Sequence, residues 1–162
     1  MATKTTTYTN VAGLNRALRK LPKEASAELR TAAKAIAADV AKEAQERAKG
    51  QGGLAALVAP SIRAARDRVP VIKMGSAAKL PSSGNDWERG RSGKGQTIGD
   101  VIWGAEFGGG KWERTAGGGS TLQFLPHKGQ QGYFLWPAVR ANSDDMQERY
   151  SQALLDALKD TK

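Results

Sequence analysis

The sequence predicts an α+β domain: a long N-terminal helix and a C-terminal helix packed on a small, mainly antiparallel sheet with long glycine-rich loops. Three observations carry this. Lys23 to Lys49 runs without glycine or proline and repeats apolar residues at helical spacing. After Gly53 the apolar residues fall instead into short runs, several of them β-branched, each cut off by proline or glycine. From Pro137 onward the helical spacing returns. At 162 residues the expectation is a single domain, 1–162, with 75–99 as an extended arm within it.

In chain order, Thr3 to Thr9 is a polar tail with little to bury. Asn10 can cap a short helix from Val11 to Leu21, whose Leu14, Leu18 and Leu21 share a face. Pro22 then suits the start of the long helix, because its missing N–H needs no partner there. Glu24 and Glu28 in the first turns, and Arg47 and Lys49 in the last, match the helix dipole. Ala25, Leu29, Ala32, Ala33, Ile36, Val40 and Ala44 form one apolar stripe along about 40 Å. Alanine dominates that stripe, so a core helix fits it better than a coiled-coil dimer, which wants several clean heptads. Gly50, Gly52 and Gly53 end the helix.

Leu54 to Ala59 predicts a further short helical turn, closed by Pro60. Two strands follow, Ser61 to Arg66 and Val69 to Met74, and Pro70 marks the second as an edge or a bulge. Glycine, serine, lysine and proline dominate Gly75 to Gly99, with Trp87 the large apolar residue of that arm. Asp100 to Phe107 reads as a strand or short helix, stopped by Gly108, Gly109 and Gly110. Thr121 to Leu125 reads as a short strand after a second glycine-rich segment. Tyr133 to Trp136 is an apolar run that buries Phe134, Leu135 and Trp136 against the long helix. Pro137 then opens the last helix, with Met146, Tyr150, Ala153, Leu154, Ala157 and Leu158 on one face.

The chemistry is sparse. There is no cysteine, which excludes disulfides, thiolate metal sites and a cysteine nucleophile. His127 is the one histidine and cannot make a zinc site alone. Gly90 to Thr97 has the look of a phosphate loop, but Gly95 follows Lys94 where serine or threonine is required. No serine sits in an elbow motif. Asp144 and Asp145 are explained by the start of the last helix. The expectation is therefore no catalytic residue, no metal, no cofactor and no enzyme. The first seven residues lack the apolar run of a signal peptide, and no stretch approaches the roughly 18–20 apolar residues that span a bilayer.

What stands out is charge. The formal net charge is +9 and the pI about 10.0. Lysines and arginines crowd the first half, including Arg63, Arg66 and Arg68, whereas the last helix is near neutral. Such an excess fits nucleic acid or an acidic protein surface. Between Tyr8 and Trp87 there is no aromatic residue to stack on bases, which favours backbone-only or protein contact. Arg63, Arg66, Arg68, Trp87, Arg89, Arg91 and Lys94 are the candidate contact residues.

Gly53-Leu54 with Ser61-Ile62-Arg63, then Ala105-Glu106-Phe107-Gly108, then Tyr133-Phe134-Leu135-Trp136-Pro137-Ala138, resembles the gene-product-ten family of tail-completion, or head–tail joining, proteins of long-tailed phages. The resemblance runs from about Leu14 to Leu158. Gly132-Tyr133 departs from it, since a proline is commoner before Phe134, and both glycine-rich segments look expanded. The resemblance implies a virion protein, assembled in the host cytoplasm into a ring of copies, sixfold like the tail tube. Its partners would be head connector or stopper proteins, tail terminator or tube proteins, and the genomic DNA passing through the ring, with no membrane. Tail completion, terminator and stopper positions all stay open. Ile62, Glu106, Phe107, Gly108, Phe134, Leu135, Trp136 and Pro137 are the motif residues, with core packing as their physical role. The alternative is a basic, non-enzymatic nucleic-acid-binding protein.

Overall fold

A computed structural model describes residues 16, 18–80, 97–109 and 124–159. The element order is α1 (Lys23–Gln51), α2 (Gly53–Val58), a 3-10 turn (Ala59–Ser61), β1 (Arg63–Ala65), β2 (Val71–Lys73), α3 (Ile98–Phe107), a 3-10 turn (Gly129–Gln131), α4 (Leu135–Ala141) and α5 (Ser143–Lys159). The class is α+β, as the sequence predicts.

Helix α1 is the axis. The predicted stripe is its inner face: Ala25, Leu29, Ala33, Ile36, Val40 and Ala44 are buried, together with Ala37, Ala41 and Ala48. The helix ends at Gly52, whose φ of 74° no side-chain-bearing residue adopts easily and whose N–H returns to the Lys49 carbonyl. Two apolar clusters divide the length of α1. Near its start Leu18, Ala25 and Leu29 meet Ala157, with Tyr150 and Leu154 alongside. Further on, Val40, Ala41, Ala44 and Ala48 meet Val58, Ile62, Val101, Ala105, Phe134 and Ala138. Small side chains on α1 let α4 and α5 approach closely, so α5 packs mainly on α1 rather than on the sheet.

Strands β1 and β2 pair antiparallel as a two-stranded sheet, Arg63 opposite Lys73, Ala64 opposite Ile72 and Ala65 opposite Val71. Both are shorter than predicted, because Arg66 to Pro70 is spent on the turn and Pro70 has no N–H for the ladder. The turn is fastened to both long helices. Arg68 Nε donates to Ser26 Oγ, and the Tyr150 hydroxyl donates to the Arg68 carbonyl.

Several expectations are corrected. The segment left open between strand and helix is helix α3, because Asp100 Oδ2 accepts the Thr97 N–H and hydroxyl and so closes its first turn. Phe124 and Leu125 form no strand; one bridge joins Gly109 to Pro126. Thr121 to Gln123 lie outside the described residues. The last helix is two helices, the first starting at Leu135 so that Pro137 stands inside its first turn rather than opening it. They part at Asn142, whose Nδ2 donates to Glu43 Oε2 on α1 and to the Ala138 carbonyl. Trp136 is 45% exposed, so it is not core; Phe134, fully buried, fills that place. The tail, residues 11–15 and 17 of the expected Val11–Leu21 helix, and most of both glycine-rich segments also lie outside the described residues.

Candidate functional site

The structure brings three of the motif residues, Phe134, Leu135 and Trp136, onto one buried carboxylate, that of Glu106. Helix α3 turns Val101, Ala105 and Glu106 inward. Glu106 has no exposed surface. An ionised group there needs partners, and it finds them at the start of α4, where helix geometry leaves N–H groups unpaired. Oε2 accepts the Phe134 N–H at 3.2 Å and the Leu135 N–H at 2.9 Å, and Oε1 accepts the Trp136 N–H at 2.8 Å. The positive end of α4 adds to this. The Glu106 backbone carbonyl also accepts the Tyr133 N–H at 2.8 Å. Gly132, at φ 67°, lies so close that a Cβ would collide with the carboxylate.

Gly108 turns the chain out of α3 at φ 78°, the positive value expected of it. A Cβ there would strike the Leu125 and Pro126 carbonyls. Ile62 is fully buried in the same cluster as Phe134, while Leu135 and Pro137 are half-buried. Phe107 stacks on Trp103, which is 67% exposed, with ring centres 5.7 Å apart. Arg140 lies over the outer face of Trp136 and donates to the Gln130 and Gln131 carbonyls, and Lys128 sits 4.4 Å from the Tyr133 ring. With both oxygens bonded to the start of α4 and no exposed surface, Glu106 fastens α3 to α4.

Beside this hub lies an apolar cleft of about 370 Å3, lined by Gln51 to Ala55, Gly104, Ala105 and Phe124 to Pro126. Among the described residues no group of three or more His, Asp or Glu side chains could hold a metal, and no helix is long and apolar enough to cross a membrane. His127 is exposed.

The cationic candidates divide. Arg63 and Arg66 are exposed, whereas Arg68 is half-buried and bonded to Ser26, so it belongs to the fold. Trp87, Arg89, Arg91 and Lys94 lie outside the described residues. Sequence reasoning missed Lys73, which the ladder sets directly opposite Arg63. Counting back from the turn at Arg66 to Pro70 was the signal that could have found it. It missed Gly132 as well, whose neighbour Glu106 is distant in sequence.

No family model, no curated protein and no solved structure matches this chain.

Proposed function

We propose that this chain is a structural protein of the neck of a long-tailed phage particle. Copies assemble as a closed ring, sixfold by the resemblance, and join head connector or stopper proteins to the tail terminator or tube. The genome passes through the channel, and the work is assembly rather than catalysis. The observation that carries this reading is that Ile62 and Phe134 share one buried cluster and that buried Glu106 bonds to Phe134. That three of the residues behind the resemblance share one core supports the reading. A cationic first half whose sequence holds no aromatic between Tyr8 and Trp87 suits a channel that must let DNA slide.

Negative-stain images of the purified protein, and of particles carrying it, test this. Closed sixfold rings are expected; a particle map holding one isolated copy sinks it. The net charge favours one competing reading, a nucleic-acid-binding protein. Here duplex binding is expected to be feeble, with a dissociation constant of about 10⁻⁶ M or weaker at physiological salt. Nanomolar, sequence-dependent retardation in a gel shift would promote the competitor.

A further inference from the structure

The outer face of the β1–β2 hairpin carries a feature that folding alone does not explain. Side chains alternate along a strand, and residues directly opposite share a face. Ile62, Ala64, Ile72 and Met74 belong to the inner set: Ile62 is fully buried, and Ile72 and Met74 pack against the core. Arg63, Ala65, Val71 and Lys73 therefore form the outer set, with Arg63 and Lys73 exposed. Two cations stand opposite each other, an arrangement that weakens a hairpin. Neither they nor Arg66 makes an ion pair among the described residues. The adjacent acid, Asp67, already accepts the Arg68 N–H.

The hairpin is nonetheless held firmly. Its turn is bonded to Ser26 and Tyr150, and Ser61 Oγ donates to the Val58 carbonyl while accepting the Gly75 N–H. With two strands in the sheet, each strand also has an outer edge that no other described strand occupies.

We infer that this face docks an extended, acidic polypeptide segment. One carboxylate lies between Arg63 and Lys73, relieving their repulsion. An apolar side chain two residues along covers the Ala65–Val71 pair, and the segment's backbone runs along an outer strand edge that no described strand occupies. The occupant is a polypeptide because the cations are coupled to an apolar patch that a phosphate backbone has no means to use. Residues 62–80 also contain no aromatic on which a base could stack. The inference rests on the neck reading only for the source of the segment, a neighbouring protein of the particle.

The test uses the full chain and a fluorescent peptide, Glu-Thr-Val-Thr-Glu, which as a strand puts both acids and the valine on one face. The same peptide with lysine for glutamate, and a short DNA duplex, are the comparisons. The acidic peptide is expected to bind in preference to both. Joint Arg63→Glu and Lys73→Glu substitution is expected to weaken it at least roughly tenfold and to shift preference to the lysine peptide. Lys49→Glu, a single charge reversal elsewhere that matches Lys73→Glu alone, is expected to change little. Lys73→Glu alone turns a like-charge pair into an opposite one, so it folds at least as stably and still loses binding. Equal binding by the double variant, an equal loss in Lys49→Glu, or preference for the duplex overturns the inference. Rings without peptide binding would sink this surface alone; peptide binding without rings would sink the neck reading alone.

Discussion

Two charged regions of this molecule are built in opposite ways. Around Glu106 a single negative charge is taken wholly out of water, and three backbone N–H groups close on it. On the hairpin, Arg63 and Lys73 face each other in solvent with no acid between them. The first arrangement is satisfied from within the fold, whereas the second leaves both cations without an ion pair among the described residues. Arg68 sharpens the contrast. It lies midway in sequence between those two cations, yet Ser26 and Tyr150 tie it into the fold. What separates fold from contact here is whether a charge is already satisfied.

The largest effects are expected at the buried end. Glu106→Ala leaves three N–H groups facing an apolar cavity and is expected to cost about 3–5 kcal/mol in urea denaturation. Glu106→Gln keeps the shape but aims an NH2 at N–H donors, and about 1–3 kcal/mol is expected. If Glu106→Ala unfolds at the wild-type midpoint, the hub does not organise α3 and α4, and the contrast collapses. Phe134→Ala is expected to cost about 3–5 kcal/mol, as for other fully buried aromatic rings.

Next in size is Gly108→Ala. A positive φ and a Cβ pressed against two carbonyls lead to an expected loss of about 2 kcal/mol. Trp136→Ala is expected to cost about 1 kcal/mol or less, since the ring stands half in water with Arg140 over it. A Trp136 loss equal to that of Phe134 would move Trp136 into the core. A small stability loss joined to failure of ring assembly would make its exposed face a contact.

Helix α1 was legible because every part of it is local. Its termini, its glycine stop and its alanine stripe all lie within one stretch and obey one period. Glu106 was legible as a motif residue but not as a buried group. Its partners are N–H groups about thirty residues on, and backbone donors carry no sequence signature. Trp136 was misplaced for a related reason: in Tyr133 to Trp136 every residue is apolar, so no alternation says which one turns inward. The Glu106 bonds make that choice by fixing where α4 begins. The break at Asn142 escaped because the apolar period runs on across it, whereas the amide of Asn142 reaches to Glu43 on α1. Lys73 became visible only with the register of the hairpin.

The smallest expected effect concerns a carboxylate that lies between these extremes, exposed but hydrogen-bonded. The Thr97 N–H, and after it the Thr97 hydroxyl, hold the Asp100 carboxyl below its ordinary value near 3.8. A carboxylate depressed in the folded state adds stability above the unfolded pKa. That contribution fades as pH falls through the lower, folded value. Asp100→Asn removes the charge at every pH. The stability gap between wild type and Asp100→Asn is therefore expected to be full at pH 5 and to shrink on acidification below about pH 4. Denaturation curves at a series of acidic pH values measure it, and a carboxyl titration followed by NMR reads the Asp100 pKa directly. A gap that stays constant down to low pH means that Asp100 holds the first turn of α3 by shape rather than charge. Asp100 would then stand apart from both Glu106 and the hairpin cations, whose roles depend on charge.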